Sequence, residues 1–96
     1  MSTIDIIKVS GSVYFLKSIE EYTKLRWYQL FLLPYSVDIT DKRINPLLQK
    51  LELAQIDICD LVLVWNQEQT FTKNMKFQIA YAEYLKKPII YKEALQ

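Results

Sequence analysis

The sequence of 96 residues contains no histidine, one glycine and one cysteine. Without histidine it lacks the commonest metal ligand and the commonest general base at neutral pH, and its single cysteine, Cys59, cannot form an internal disulfide. We therefore expect no metal site, no catalytic triad and no cofactor. A single glycine also excludes the Walker loop and the Gly-x-Gly-x-x-Gly fingerprint, because both use several glycines to bring the backbone close to phosphates.

Long apolar runs and strong net charge are also missing. The longest apolar runs span about five to seven residues, and no basic region precedes an apolar one at the N-terminus, so neither a transmembrane helix nor a signal peptide is expected. The net charge is +1 and the lysines are scattered, so nucleic acid and membranes are not expected partners. The length and an apolar content of 51% predict one domain over residues 1–96, with the reducing cytoplasm as its default location.

Four strand-like segments alternate with three helix-like segments. Leu61–Trp65 is apolar at every position, as in a strand that is buried on both faces of a parallel sheet. Further strands are predicted at residues 3–10, 28–33 and 89–91, and the second of these is also expected to be buried. Helices are predicted at residues 13–26, 45–58 and 74–85.

The second and third helices carry apolar patterns that predict how they pack. In the second helix an apolar stripe is expected to face the sheet, with Lys50, Glu52 and Asp57 outside it. The stripe consists of Ile44, Leu47, Leu48, Leu51, Ala54 or Gln55, and Ile58. The third helix has one apolar face formed by Met75, Ile79 and Ala82, and an aromatic face formed by Phe77, Tyr81 and Tyr84. The aromatic face is either a part of the core or a contact with a second copy or another protein.

The alternation of strands and helices predicts an α/β fold. Right-handed crossovers give a Rossmann-like three-layer sandwich, in which a four-stranded parallel sheet of order 2-1-3-4 carries three helices on its two faces. Ligands of such sheets bind beyond the carboxyl ends of the strands, at the point where the strand order reverses. The turn at Gly11 and the loop after Asn66 should meet there, between strands 1 and 3.

The turn Ser10-Gly11-Ser12 follows the first strand. Gly11 can leave backbone N–H groups at the helix start open to an anion, flanked by two serine hydroxyls. The alternative interpretation is a tight turn in which Ser12 caps the helix.

Acidic residues near strand ends offer weaker candidates. Asp38 and Asp41 lie in the loop after the second strand, where helix capping and solvation account for them better than binding does. Asp57 and Asp60 flank the end of the second helix, where the helix dipole disfavours acids. A turn in which the side chain binds local backbone is the simpler interpretation of Asp60.

Three stretches of the chain occur in an order that is typical of a known family. They are Lys8-Val9-Ser10-Gly11-Ser12 with Tyr14-Phe15, then Ile56-Asp57-Ile58-Cys59-Asp60 leading into Leu-Val-Leu-Val-Trp-Asn, then Ile79-Ala80-Tyr81-Ala82 running to Lys87-Pro88-Ile89-Ile90. Together they resemble the nucleoside 2-deoxyribosyltransferase-like superfamily of small Rossmann-like proteins. The resemblance covers nearly the whole chain.

The resemblance implies a site in which one reactive group is replaced. In this superfamily a glutamate directly before the Ile-Gly/Ala-Tyr-Ala segment attacks the anomeric carbon of a nucleoside and forms a glycosyl ester. The matching residue here is Gln78, whose uncharged carboxamide is a poor nucleophile. The family's loop glycine is also missing from residues 67–74. The resemblance therefore implies a nucleoside- or nucleotide-binding domain without covalent catalysis.

The expected ligand-binding residues surround the two loops. Ser10, Gly11 and Ser12 would meet the polar end of the ligand, Asn66 and Gln78 the sugar, and Tyr14, Trp65 or Phe71 would stack on a base. Asn74 is also expected to bind the ligand. Two alternatives stay open. One is a small interaction or inhibitor protein of phage or mobile-element type that uses Phe77, Tyr81 and Tyr84 to bind a partner or a second copy. The other is an active transferase or N-glycoside hydrolase with Asp57, Asp60 or Glu68 as a substitute acid.

Overall fold

A computed structural model describes residues 5–26, 28–34 and 45–95 of the chain. The predicted strand residues Thr3 and Ile4, the helix residue Ile44, and the loop acids Asp38 and Asp41 lie outside these ranges. Within them, no helix is both long enough and apolar enough to cross a membrane.

The described elements follow the predicted order. They are β1 (Ile6–Gly11), α1 (Leu16–Lys24), β2 (Leu30–Leu32), α2 (Asn45–Ile58), β3 (Leu61–Trp65), α3 (Lys73–Tyr84) and β4 (Ile89–Tyr91). A short 3-10 turn at Val13–Phe15 precedes α1, a second at Gln67–Gln69 follows β3, and a third at Lys92–Leu95 follows β4.

The four strands pair in parallel in the order β2-β1-β3-β4, which confirms the predicted fold class and strand order. The central strands β1 and β3 align from Ile7 opposite Leu61 to Gly11 opposite Trp65. Strand β2 has three residues and lies at the sheet edge, where Leu30 is 50% exposed. The expectation of a buried second strand is therefore wrong, because β1 is the only described strand with which β2 pairs.

Alternating side chains of β1 and β3 build a core on each face of the sheet. The core on the face that α1 covers consists of Ile7, Val9, Phe15, Ile19, Leu63 and Trp65. On the opposite face, which α2 and α3 cover, lie Ile56, Cys59, Val62, Val64, Met75 and Ala82. The three layers place the carboxyl ends of the central strands at one edge, between α1 on one side and α2 with α3 on the other.

Helix α2 packs with a different face than its apolar stripe predicts. Leu47, Leu51 and Ile58 are 60%, 49% and 61% exposed, and Ala54 is exposed as well. The inward face carries Leu53, Ile56 and the carboxylate of Glu52. Because α2 has apolar residues on both sides, apolar spacing alone does not fix its rotation. The rotation observed is the one that brings Glu52 to a buried cation, Lys8.

Two lysines after α3 complete the ends of two helices. Nζ of Lys87 donates hydrogen bonds to the backbone oxygens of Asp57 and Cys59, at 3.1 and 2.8 Å, and so caps the end of α2. Lys86 adopts φ 59°, in the left-handed region. The N–H groups of Lys86 and Lys87 bond to the carbonyls of Glu83 and Ala82, which forms a Schellman motif in a chain without a glycine there.

Candidate functional site

A cleft opens at the carboxyl edge of the sheet, beside the ends of β1 and β2 and the start of α3. Its cavity volume is about 150 Å³. Its lining residues are Gly11, Ser12, Val13, Pro34, Leu48, Gln49, Glu52, Thr72, Asn74 and Gln78. This is the position at which open parallel sheets bind ligands.

The lining combines apolar side chains with groups that form hydrogen bonds. Val13, Pro34 and Leu48 supply apolar surface, while amides, hydroxyls and one carboxylate supply donors and acceptors. Among the described lining residues, Glu52 alone is ionisable. A small site with apolar walls and a few directed polar groups suits a partly polar small molecule.

Three polar side chains from three elements meet at the floor of this cleft. Nε2 of Gln78 donates a hydrogen bond to Oε2 of Glu52, and Nζ of Lys8 lies 3.6 Å from Oε1 of the same carboxylate. Lys8 is 0% exposed, Gln78 6%, and the Glu52 side chain 13%. The carboxylate thus has a buried neighbour at each oxygen, and Glu52 is among the residues that line the cleft.

Lys8 is the unusual member of this group, because it lies within a central strand that is covered on both faces. Burial lowers the pKa of the Lys8 ammonium, and the negative charge of Glu52 opposes part of that shift. Within the described protein, Nζ of Lys8, Oγ of Ser10 and Oε1 of Gln78 are buried without a hydrogen-bond partner. Such groups are rare in protein interiors, and each calls for an explanation, of which a functional role is one.

The expected ligand-binding residues divide into those at the cleft and those elsewhere. Gly11, Ser12, Asn74 and Gln78 line it together. Ser10 is fully buried on the strand next to Gly11, and Tyr14, which follows the lining residue Val13, is 84% exposed.

The Gly11 turn has the geometry of the capped-turn alternative. Oγ of Ser12 accepts a hydrogen bond from the N–H of Tyr14 at 3.2 Å. A Cβ at Gly11 would lie 3.0 Å from Cβ of Trp65 and 3.1 Å from Cδ1 of Ile19. Close packing of α1 against β3 therefore accounts for the glycine without an anion.

Three residues that were expected to contact ligand have other partners. Trp65 is 2% exposed, and its Nε1 donates to Oε1 of Gln67 at 2.9 Å. Oδ1 of Asn66 accepts a hydrogen bond from the N–H of Glu93 at 3.0 Å. Phe71 packs with its ring centroid 6.3 Å from that of Tyr91. None of the three is among the described residues that line the cleft, and the covered ring of Trp65 offers no face to a base.

The acids that were considered as substitutes lie away from Gln78. Oδ2 of Asp60 accepts a hydrogen bond from the N–H of Ile6, at the opposite edge of the sheet. Oδ1 of Asp57 accepts one from the hydroxyl of Tyr81 at 2.6 Å. Glu68, with φ 55°, lines a shallow depression beside α1. The carboxylate that does reach the cleft is Glu52.

Sequence reasoning missed both Lys8 and Glu52 as site residues. A usable signal was present for Lys8, because a charged residue in the middle of a strand predicted to be central needs a buried partner. No comparable signal marked Glu52, because the rotation of α2 decides whether its side chain reaches the cleft.

No protein-family model matches the chain, and no curated protein matches it either. Among the described residues, no group of three histidine, cysteine, aspartate or glutamate side chains could hold a metal ion.

Proposed function

We propose that the chain is a nucleoside-binding domain that resembles the nucleoside 2-deoxyribosyltransferases and does not carry out their covalent transfer. The observation that carries the proposal is the position of Gln78, which lines the carboxyl-edge cleft together with Gly11 and Asn74. The residue that the resemblance aligns with the nucleophile therefore faces a cleft of the right kind, but as a carboxamide.

The contacts of Gln78 support loss of catalysis. Its Nε2 donates to Glu52, so the side chain is held as a hydrogen-bonding group rather than as a free nucleophile. A carboxamide carries no negative charge with which to attack a cationic anomeric centre. What the cleft retains is hydrogen bonding to a sugar and apolar surface for a base.

Calorimetry with a panel of nucleosides and nucleotides tests binding. We expect saturable heat with at least one nucleoside and none for a variant in which Asn74→Leu removes a polar lining group. Asn74 is matched by Gln69, an exposed loop residue outside the cleft lining, and Gln69→Leu should leave binding unchanged. Absence of heat with every member of the panel would overturn the proposal.

Release of free base from deoxynucleosides tests catalysis. We expect none from the natural chain. Release that appears only in Gln78→Glu, or only in the Gln78→Glu/Glu52→Gln pair, would support a lost nucleophile, with Gln69→Glu as the matched control. Release from the natural chain would instead favour the active-enzyme alternative, with Glu52 as the acid to test first.

A second candidate function is self-association, which the outward stripe of α2 favours. Leu47, Leu51, Ala54 and Ile58 follow one another at helical spacing and are all exposed. On α3, Phe77 and Tyr84 are 55% and 81% exposed, whereas Tyr81 is partly buried and bonded to Asp57. A patch of this kind marks an interaction surface.

Charge along α2 favours a second copy in antiparallel orientation. Lys50 and Asp57 lie on the same flank of the stripe, so a two-fold axis near its middle would bring each lysine close to the other copy's aspartate. Light scattering should give a dimer mass that Leu51→Glu converts to the monomer mass. Leu25→Glu, at an exposed leucine after α1, is the control. A monomer mass for the natural chain at high concentration contradicts this candidate.

A further inference from the structure

We propose that Glu52 is the residue with which the cleft recognises its ligand, and that the ligand offers hydroxyl or amine donors and no negative charge at this point. The inference rests on the proposed function and deepens it, since it concerns the same cleft. It starts from the fact that Glu52 is held between two buried groups from different elements, Lys8 on β1 and Gln78 on α3.

The geometry leaves the carboxylate with acceptor capacity on the cleft side. A carboxylate has about four lone-pair directions. Gln78 uses one at Oε2 and the ammonium of Lys8 lies 3.6 Å from Oε1, both from the protein side. The 13% of the side chain that is exposed belongs to a residue lining the cleft. A ligand hydroxyl there would donate to an acceptor whose position is already fixed.

The arrangement is costly as a purely structural device. A buried ion pair contributes little to stability, since the desolvation of both charges offsets their attraction. Here the lysine also lacks a hydrogen bond within the described protein, as do the buried Oγ of Ser10 and Oε1 of Gln78. Recognition sites use a small number of polar groups that supporting contacts hold in place, and Glu52, between Lys8 and Gln78, is held in this way.

The charge of the lining argues against an anionic ligand. Glu52 is the one ionisable residue among the described lining residues, and the ammonium of Lys8 is covered from the cleft. The start of α3, with Thr72 and Asn74, also lines the cleft and attracts anions with roughly half an elementary charge. Because Lys8 is covered, a phosphate in the cleft would contact the Glu52 carboxylate and not the ammonium that compensates it. A phosphate beside Glu52 is therefore disfavoured.

Paired titrations of adenosine and thymidine against their 5′-monophosphates test the inference by calorimetry. We expect the nucleosides to bind the natural chain at least tenfold more tightly than the monophosphates. In Glu52→Gln that ratio should fall below about threefold, mainly through loss of nucleoside affinity, while Glu83→Gln on the exposed side of α3 should leave it unchanged.

The titrations of the natural chain decide the matter even if Glu52→Gln does not fold. In that case the double variant Lys8→Met/Glu52→Gln is titrated, because it also removes the lysine that Glu52→Gln leaves unpaired. We expect it to lose the preference for nucleosides over monophosphates to the same extent. Equal or tighter binding of the monophosphates to the natural chain overturns the role of Glu52 and leaves the nucleoside-binding proposal standing. Binding of neither class overturns both.

Discussion

Nζ of Lys8 and Oε1 of Glu52 lie 3.6 Å apart beneath the cleft, and this contact joins the central strand β1 to helix α2. Both groups are largely removed from water, so each charge depends on the other for compensation. The rotation of α2 that allows this contact turns Glu52 inward beside Ile56, and it turns the stripe of Leu47, Leu51, Ala54 and Ile58 outward. One ion pair thus links the floor of the cleft to the surface proposed for self-association.

Removal of one partner should cost much more than removal of both. We expect Lys8→Met to lower the free energy of unfolding by about 3 kcal/mol, because it leaves the Glu52 carboxylate without its cation. Lys8→Met/Glu52→Leu should recover most of that loss, since apolar side chains of similar volume replace a buried pair with little penalty. Urea unfolding of the three proteins measures both values. A double variant as unstable as the single one would show that Lys8 and Glu52 do not act as a pair.

The stability of the natural chain should rise with pH in the alkaline range, relative to Lys8→Met/Glu52→Leu. Burial lowers the pKa of Lys8 in the folded state. Between that lowered pKa and the ordinary lysine value of roughly 10.4, the unfolded chain binds a proton that the folded chain has lost, so folding gains as pH rises. Below this window the folded state carries the full cost of the buried charge. Urea unfolding of both proteins at a series of pH values measures the difference, and a flat difference would mean an ordinary Lys8.

Restoring an acid at position 78 should destabilise the fold unless Glu52 changes with it. In Gln78→Glu two carboxyl groups would meet in place of the present amide–carboxylate hydrogen bond, and they can coexist only by sharing a proton. We expect the free energy of unfolding to fall by about 2 kcal/mol at pH 7. The added carboxyl has a raised pKa in the folded state, so the variant loses stability as pH rises through that pKa. The loss therefore shrinks on acidification.

The exchange variant is the control for this prediction. Gln78→Glu/Glu52→Gln restores one amide donor and one carboxylate acceptor across the same gap, but it also takes the carboxylate away from Lys8, so only part of the stability should return. If the exchange variant is no more stable than Gln78→Glu, the contact between the two side chains does not explain the loss.

The fold could be predicted because its signals are local or topological. Leu61–Trp65 is apolar at every position and is the buried strand β3, and the alternation of strands and helices then leaves few parallel topologies. The edge strand β2 was mistaken for a buried one because its short apolar run does not reveal how many neighbours it has. Edge position becomes visible only when the sheet is assembled.

The site was predictable only in part, for a physical reason. Gly11, Ser12 and Asn74 follow from where parallel strands end and helices begin, Gln78 follows from the family resemblance, and these four residues do line one cleft. Trp65 was misjudged because the last residue of a strand can point to either face, and here it packs under α1. Glu52 was hidden because α2 offers two apolar faces, and which of them faces the sheet is decided by tertiary packing.

Lys86→Gly should stabilise the protein by about 0.5–1 kcal/mol. Lys86 holds φ 59° at the end of α3, a conformation that costs a residue with a Cβ roughly 1–2 kcal/mol and costs glycine nothing. Part of this gain is lost because glycine makes the unfolded chain more flexible. Lys86→Ala is the matched control, since it also removes the lysine charge from the helix end but keeps the Cβ. Thermal or urea unfolding should therefore show that Lys86→Gly is more stable than Lys86→Ala. The reverse order would show that the left-handed residue is not strained.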